Sequence, residues 1–315
     1  MTSLYSFGLD PRAFYSQSLS SESSDLQSFV SLTQPMPEKT ILRSVATNGV
    51  NWLAVGAGGA SYTLDPTTAW SSYSIYNGWV NFNKVRVAQG TFFAVGSLKN
   101  SSNLEEQACV FSTTSGGDSS MWQERYQNPG VSSGYFDLAH LGGGELVAVG
   151  YQSTNLLPLI SYSADAITWI NLPVDSLPGA VFSVDYDTGS NTIWVGGQGW
   201  TATGSWNSGG VDWTISSNLL SRSRPKAITA IGHDATHVVA ISGSTVWTSN
   251  NGVDWTGREQ AGYTFSSLAK FQQTWVFGCE SLLQQYTGFS LDLTSSSPQL
   301  KGFNSGVQAA VMIEV

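Results

Sequence analysis

The chain has 315 residues, 41% hydrophobic and 12% aromatic, enough apolar material for one large domain or two small ones. Only 11% are charged and the net charge is −9, with thirteen Lys and Arg scattered along the chain and no basic run, which excludes the electrostatic footprint of a nucleic-acid binder. No apolar run reaches the roughly 18 residues that span a membrane, and no basic segment followed by an apolar core opens the chain.

The elements recur. Taken in order, six short apolar runs stand out: Trp52 to Gly56, Phe92 to Gly96, Leu146 to Gly150, Ile193 to Gly197, Val238 to Ser242 and Thr274 to Gly278. Each is rich in β-branched or aromatic residues and most end in glycine, as expected of buried strands bounded by turns. Each follows a polar turn, such as Asn48-Gly49 or Gln89-Gly90, and before the turn lies another short strand, such as Leu42 to Thr47, Lys84 to Ala88 or Ala227 to Ile231. The pairs read as hairpins. After each hairpin a strand runs into a second turn, and tryptophan recurs at Trp70, Trp122, Trp169, Trp213 and Trp255, on average about 46 residues apart. A repeat of four strands in about that length predicts an all-β fold, a single β-propeller of four-stranded blades over residues 1–315.

The segment Gly306 to Val315 predicts one further strand, and the N-terminus supplies a partner for it. Leu9-Asp10-Pro11 through Ser16 echoes Leu64-Asp65-Pro66 through Ser71, with Tyr15 in place of Trp70. The expectation is therefore seven blades, the last closed by both chain ends, which removes exposed sheet edges. Six blades with an N-terminal arm is the alternative. Residues 16–40, rich in serine, are expected as a long excursion or docking segment.

The residues around the tryptophans resemble the Asp-box of sialidase-like propellers, Ser-x-Asp-x-Gly-x-Thr-Trp. Ser163, Asp165, Thr168 and Trp169 follow it one residue short, with Ala166 standing for the glycine. Ser249, Asn251, Gly252 and Trp255 match it with Asn for Asp, Asp118 and Trp122 keep the spacing, Gly209 replaces the acid before Trp213, and Asp65 before Trp70 is shifted by one residue. A short acceptor of this kind bonds the N–H groups of its own turn, and the indole wedges between sheets. The motif is structural, so these residues are assigned to architecture.

Chemistry is sparse. A sialidase needs clustered arginines for a substrate carboxylate. None of the seven arginines, Arg43 being the nearest, stands in the Arg-Ile-Pro context of that family. His233 and His237 bracket a turn and read as solvated. Cys109 and Cys279 read as buried thiols without a bridge. No phosphate loop is present.

Loops away from the Asp-box turns are the place to look for a site. There Trp79, Tyr151 and Trp200 are candidates for stacking on sugar rings, against the plainer reading that they pack between blades, and Arg222 and Arg224 fall in the same class of loop.

Short Asp-box-like propellers without catalytic residues are similar to those of bacteriophage virion proteins. The resemblance implies a non-enzymatic head or tail decoration, fibre or host-attachment protein, with no cofactor and no metal. It implies partners among other virion proteins or host surface glycans within a larger assembly, without nucleic acid or membrane insertion. The protein is then expected to be made in the host cytoplasm and carried on the virion. A sialidase-like glycan-cleaving enzyme and a photosystem-type assembly factor are the alternatives.

Overall fold

A computed structural model describes residues 4–9, 18–23, 30–36, 41–66, 70–99, 105–128, 130–207, 210–216, 226–281, 288–295, 297–303 and 308–314. Strands dominate it, and the chain is a β-propeller. Blade 1 runs outward through Ile41–Thr47, Trp52–Ala57, Gly59–Thr63 and Ser71–Ser74. Blade 2 follows with Val80–Ala88, Thr91–Lys99, Glu106–Thr113 and Gln123–Gln127. Blade 3 comprises Ser133–Gly142, Glu145–Gln152, Leu157–Ser163 and Ile170–Asn171. Blade 4 comprises Ser183–Asp187, Thr192–Gly196, Thr201–Asn207 and Thr214–Ser216, with the short Gly210–Val211 pairing on its third strand. Blade 5 comprises Ala230–His233, Val238–Ser242, Thr245–Ser249 and Thr256–Glu259. Tyr263–Phe271, Thr274–Ser281, Gly288–Asp292 and Lys301–Phe303 form blade 6.

The remaining sheet joins the two chain ends. Gln308–Glu314 is its inner strand, and Leu4–Leu9, Ser18–Ser23 and Val30–Met36 follow outward. Each inner strand touches the next in order around the ring, and the C-terminal strand touches those of blades 6 and 1. Among the described residues, seven blades therefore close the ring. Within the expected excursion 16–40, the described residues Ser18–Ser23 and Val30–Met36 are strands of blade 7. The expected echo of Leu64 to Ser71 at Leu9 to Ser16 lies, Leu9 apart, outside the described residues.

The six apolar runs are the second strands, and each is apolar throughout because both of its faces are covered. Phe92 and Ala94 pack toward blade 1, while Phe93 and Val95 pack toward blade 3. Val147 and Val149 pack toward blade 4, while Leu146 and Ala148 pack toward blade 2. The core is thus a series of layers between blades. Cys109 and Cys279 lie buried in two of these layers.

The glycines in these runs do more than end a strand. In blades 1, 2, 3 and 6 the inner strand carries a β-bulge, with register shifts between Leu42 and Ser44, Phe82 and Lys84, Tyr135 and Asp137, and Phe265 and Ser267. Opposite two of these bulges the backbones approach closely. A Cβ at Gly96 would lie 1.9 Å from the carbonyl oxygen of Asn81, and one at Gly150 would lie 1.9 Å from that of Gly134. Only glycine fits, and the strands continue beyond it to Lys99 and Gln152.

Candidate functional site

The bulges position the side chains of the central channel, since an extra residue re-aims its neighbours. Arg43, the bulge residue of blade 1, donates from Nη1 to Oδ1 of Asn83, the bulge residue of blade 2, at 2.5 Å. Asn83 in turn donates from Nδ2 to the Tyr135 carbonyl of blade 3 at 2.7 Å. Phe136, the bulge residue of blade 3, stacks on Phe182 at the entry to blade 4, with ring centroids 4.8 Å apart. A relay of bulge residues thus ties four blades together around the channel.

The channel holds a cavity of about 460 Å³ whose described lining comes from the inner strands of blades 1, 2 and 6 and from Thr229 and Ala230 of blade 5. Four cations line it, Arg43, Lys84, Arg86 and Lys270, and no carboxylate or histidine is among the described lining residues. Hydroxyl groups come from Ser44, Thr47, Thr229, Ser266 and Ser267.

Behind this wall stand two carboxylates. Asp137, with its side chain only 5% exposed, lies 3.9 Å from both Lys84 Nζ and Arg86 Nη2. Its Oδ1 accepts the N–H of Leu138 at 2.8 Å and its Oδ2 that of Val184 in blade 4 at 3.2 Å. Asp234 accepts from Lys270 Nζ and Trp275 Nε1, each at 3.1 Å, and from the N–H groups of Thr236 and His237. Burial works to raise the Asp234 pKa, but these donors outweigh it and hold the carboxyl well below its ordinary range.

Beside them, at the junction of blades 4 and 5, His233 Nδ1 lies 2.6 Å from Asp185 Oδ2, with Asp187 3.7 Å from Nε2. The imidazole also stacks on Trp194 at 5.0 Å between centroids. Burial lowers its pKa, but the bond to Asp185 and the surrounding carboxylates outweigh that and leave it raised. His233 is therefore an inter-blade contact instead of a solvated turn residue.

The turn residues sit between third and fourth strands. Asp165 Oδ1 accepts the N–H groups of Ile167 and Thr168 at 2.8 and 2.6 Å, and Ser163 Oγ lies 3.1 Å away. These backbone donors, Thr168 first, lower its pKa to about 2. Asn251 accepts the N–H groups of Val253 and Asp254, each at 2.9 Å, while Ser249 Oγ accepts that of Gly252 at 2.9 Å. Asp118 caps the 3-10 turn Ser119–Met121 through the Ser120 N–H at 2.7 Å. Asp65 begins its turn with its own N–H on Thr63 Oγ1 at 3.2 Å.

The tryptophans differ in depth. Trp70, Trp122 and Trp169 are buried, whereas Trp213 and Trp255 are half-buried. Trp122 stacks on Phe82 at 5.3 Å and donates to the Tyr73 hydroxyl at 3.0 Å, and Trp255 donates to the Gly252 carbonyl at 3.1 Å.

The three aromatic residues expected in exposed loops do not come together. Trp200 is only 3% exposed, packed in the layer between blades 3 and 4, and a Cβ at Gly197 would lie 1.9 Å from its Cε2. No face of its indole is open to a sugar ring. Trp79 is half-buried against the layer between blades 1 and 2. Tyr151 is half-buried against Phe136, 5.4 Å between centroids. Arg222 and Arg224 lie outside the described residues. Sequence reasoning missed the channel cations, because nothing in local sequence marks a bulge or tells which inner-strand residues share a level of the ring.

No protein-family model matches the chain, and no curated protein matches it. Solved structures do match. A protein from Lactobacillus plantarum aligns at a TM-score of 0.73 with 11% identity over 100% of both chains. A chain of the mitotic checkpoint complex aligns at 0.62 with 11% identity, over 85% of this chain and 80% of that one. The WD40 β-propeller domain of Doa1 aligns at 0.58 with 14% identity, over 84% and 83%. At these identities the likeness is one of fold.

Proposed function

We propose that the chain is a non-enzymatic binding module and a component of a bacteriophage virion, a head or tail decoration, fibre or host-attachment protein. Its closed ring serves as a rigid platform for another virion protein or a host surface glycan. The observation that carries the reading is the make-up of the central cavity, with cations and hydroxyls but no carboxylate or histidine among its described lining residues. Glycoside cleavage in most families needs two carboxyl groups flanking the bond. A hydroxyl nucleophile needs an adjacent base to activate it. Channel chemistry of this kind suits holding a ligand.

The virion assignment draws on the sparse charge, only 11% of residues, with serine, threonine and amide side chains solvating the rest of the surface. It draws also on the turns at Asp118, Asp165 and Asn251, which resemble those of Asp-box propellers in phage particles. Synthesis in the host cytoplasm and transport on the particle belong to the same proposal.

The test is quantitative mass spectrometry of gradient-purified particles, with immunogold labelling of the same sample. A fixed copy number per particle is the expected result. Recovery only from host cytoplasm or envelope contradicts the virion assignment.

A further inference from the structure

We propose that the central channel binds a small molecule through a doubly charged oxyanion group of the phosphate type, held by Lys84, Arg86 and Arg43. This rests on the reading of the chain as a binding module and names the ligand chemistry of its cavity.

Lys84 is the key residue. Its ammonium carries three donors, yet among the described residues the nearest carboxylate oxygen, Asp137 Oδ1, is 3.9 Å away, an ion pair too long for a hydrogen bond. That oxygen already accepts the Leu138 N–H. Asp185, whose charge also reaches Lys84, is bonded to His233. Burial depresses the Lys84 pKa, with Asp137 opposing the effect.

Arg86 spends Nε on the Leu138 carbonyl at 3.2 Å, and its Nη2 stands 3.9 Å from the same Asp137 oxygen. Arg43 spends Nη1 on Asn83 and is otherwise exposed to the channel. Lys270 is satisfied by Asp234.

Four cations thus line the cavity, with Asp137 and Asp234 behind them and Asp185 bonded to His233, in a protein whose net charge is −9. Lys84 and Arg86, with side chains 28% and 43% exposed, share one carboxylate oxygen at 3.9 Å, so one negative charge stands against two positive ones. A dianion with several acceptor oxygens supplies both the charge and the bonds, and guanidinium groups hold such oxygens in pairs. The cavity of about 460 Å³ is of the size that takes small molecules. Its hydroxyl wall, including Ser266 and Ser267, is placed for the polar remainder of the ligand.

The experiment is isothermal titration calorimetry of the full chain at low ionic strength, with inorganic phosphate, glucose 6-phosphate and glucose as probes. Lys84→Gln and Arg43→Gln are run beside the wild type, their folding checked by melting. Saturable binding of a phosphate probe, weakened at least about tenfold in both variants, is expected. Binding of inorganic phosphate alone assigns the site to the free ion, and tighter binding of glucose 6-phosphate assigns it to an ester.

No saturable binding up to about 10 mM, or binding that both variants retain, overturns the proposal. Arg43 is exposed, so its variant keeps the test open if Lys84→Gln fails to fold. A chain present on particles but indifferent to phosphate overturns this inference alone. A chain that binds phosphate but is absent from particles overturns the virion assignment alone.

Discussion

His233 Nδ1 of blade 5 lies 2.6 Å from Asp185 Oδ2 of blade 4, so one charged contact crosses the junction between them. The folded-state pKa of His233 is raised above the ordinary 6.5. Its contribution to stability is therefore fully present below about pH 6.5 and is lost as pH rises through the folded value. His233→Gln should cost on the order of 1 kcal/mol near pH 6, with the gap to wild type narrowing toward pH 8. Melting curves across that range, with an NMR titration of the imidazole, check it. A gap that does not change with pH contradicts the assignment.

Gly150 allows the inner strand of blade 3 to approach, its missing Cβ lying 1.9 Å from the Gly134 carbonyl oxygen. Gly150→Ala should destabilise the protein by about 3 kcal/mol, because backbone and not a flexible side chain must move. Gly90, with φ +75 and nothing within 4 Å, supplies the contrast. Gly90→Ala should cost about 1 kcal/mol, the strain of the left-handed conformation alone. Chemical denaturation of the two variants measures both.

Asp165 and Asn251 do the same work in blades 3 and 5, each accepting two backbone N–H groups of its own turn. Asp165→Asn should therefore melt close to wild type at neutral pH, while Asp165→Ala should melt lower. Because the Asp165 pKa is depressed to about 2, its charge contributes above the unfolded value near 4 and is lost as pH falls toward about 2. Wild type should therefore lose stability relative to Asp165→Asn over that interval.

Trp200 and Trp79 separate packing from recognition. Trp200→Ala should cost about 3–5 kcal/mol, since it empties a buried site between blades 3 and 4. Trp79→Ala, at a half-buried position, should cost less. A glycan array run on Trp79→Ala alone is the clean test of sugar stacking, because any loss of binding with Trp200→Ala is confounded by unfolding.

Much of the ring was legible in the sequence. The second strands announced themselves because burial on both faces makes them apolar throughout, and the Asn48-Gly49 turn and recurring tryptophans gave the repeat its frame. The strands Ser18–Ser23 and Val30–Met36 were not legible, since the serine-rich stretch around them carries little apolar alternation. The packing of Trp200 between blades, the plainer reading of its sequence, is accommodated by the space left at Gly197. The channel cations were hidden for a different reason. Arg43 stands in an unremarkable context, and only the bulge between Leu42 and Ser44 and the arrival of Asn83 from the next blade give it a place.

The channel, its cations and the platform all depend on one claim, that both chain ends form a single blade and close the ring. Ser6 and Met312 are direct partners across the terminal strand pair. A variant carrying Ser6→Cys and Met312→Cys, with Cys109 and Cys279 replaced by Ala, tests the claim by oxidation followed by protease mapping. Partner positions in an antiparallel pair lie within the span a disulfide bridges. The account predicts one intramolecular cross-link between the terminal peptides and a higher melting temperature for the oxidised form. Oxidation that yields only free thiols or intermolecular dimers would contradict closure by the two ends.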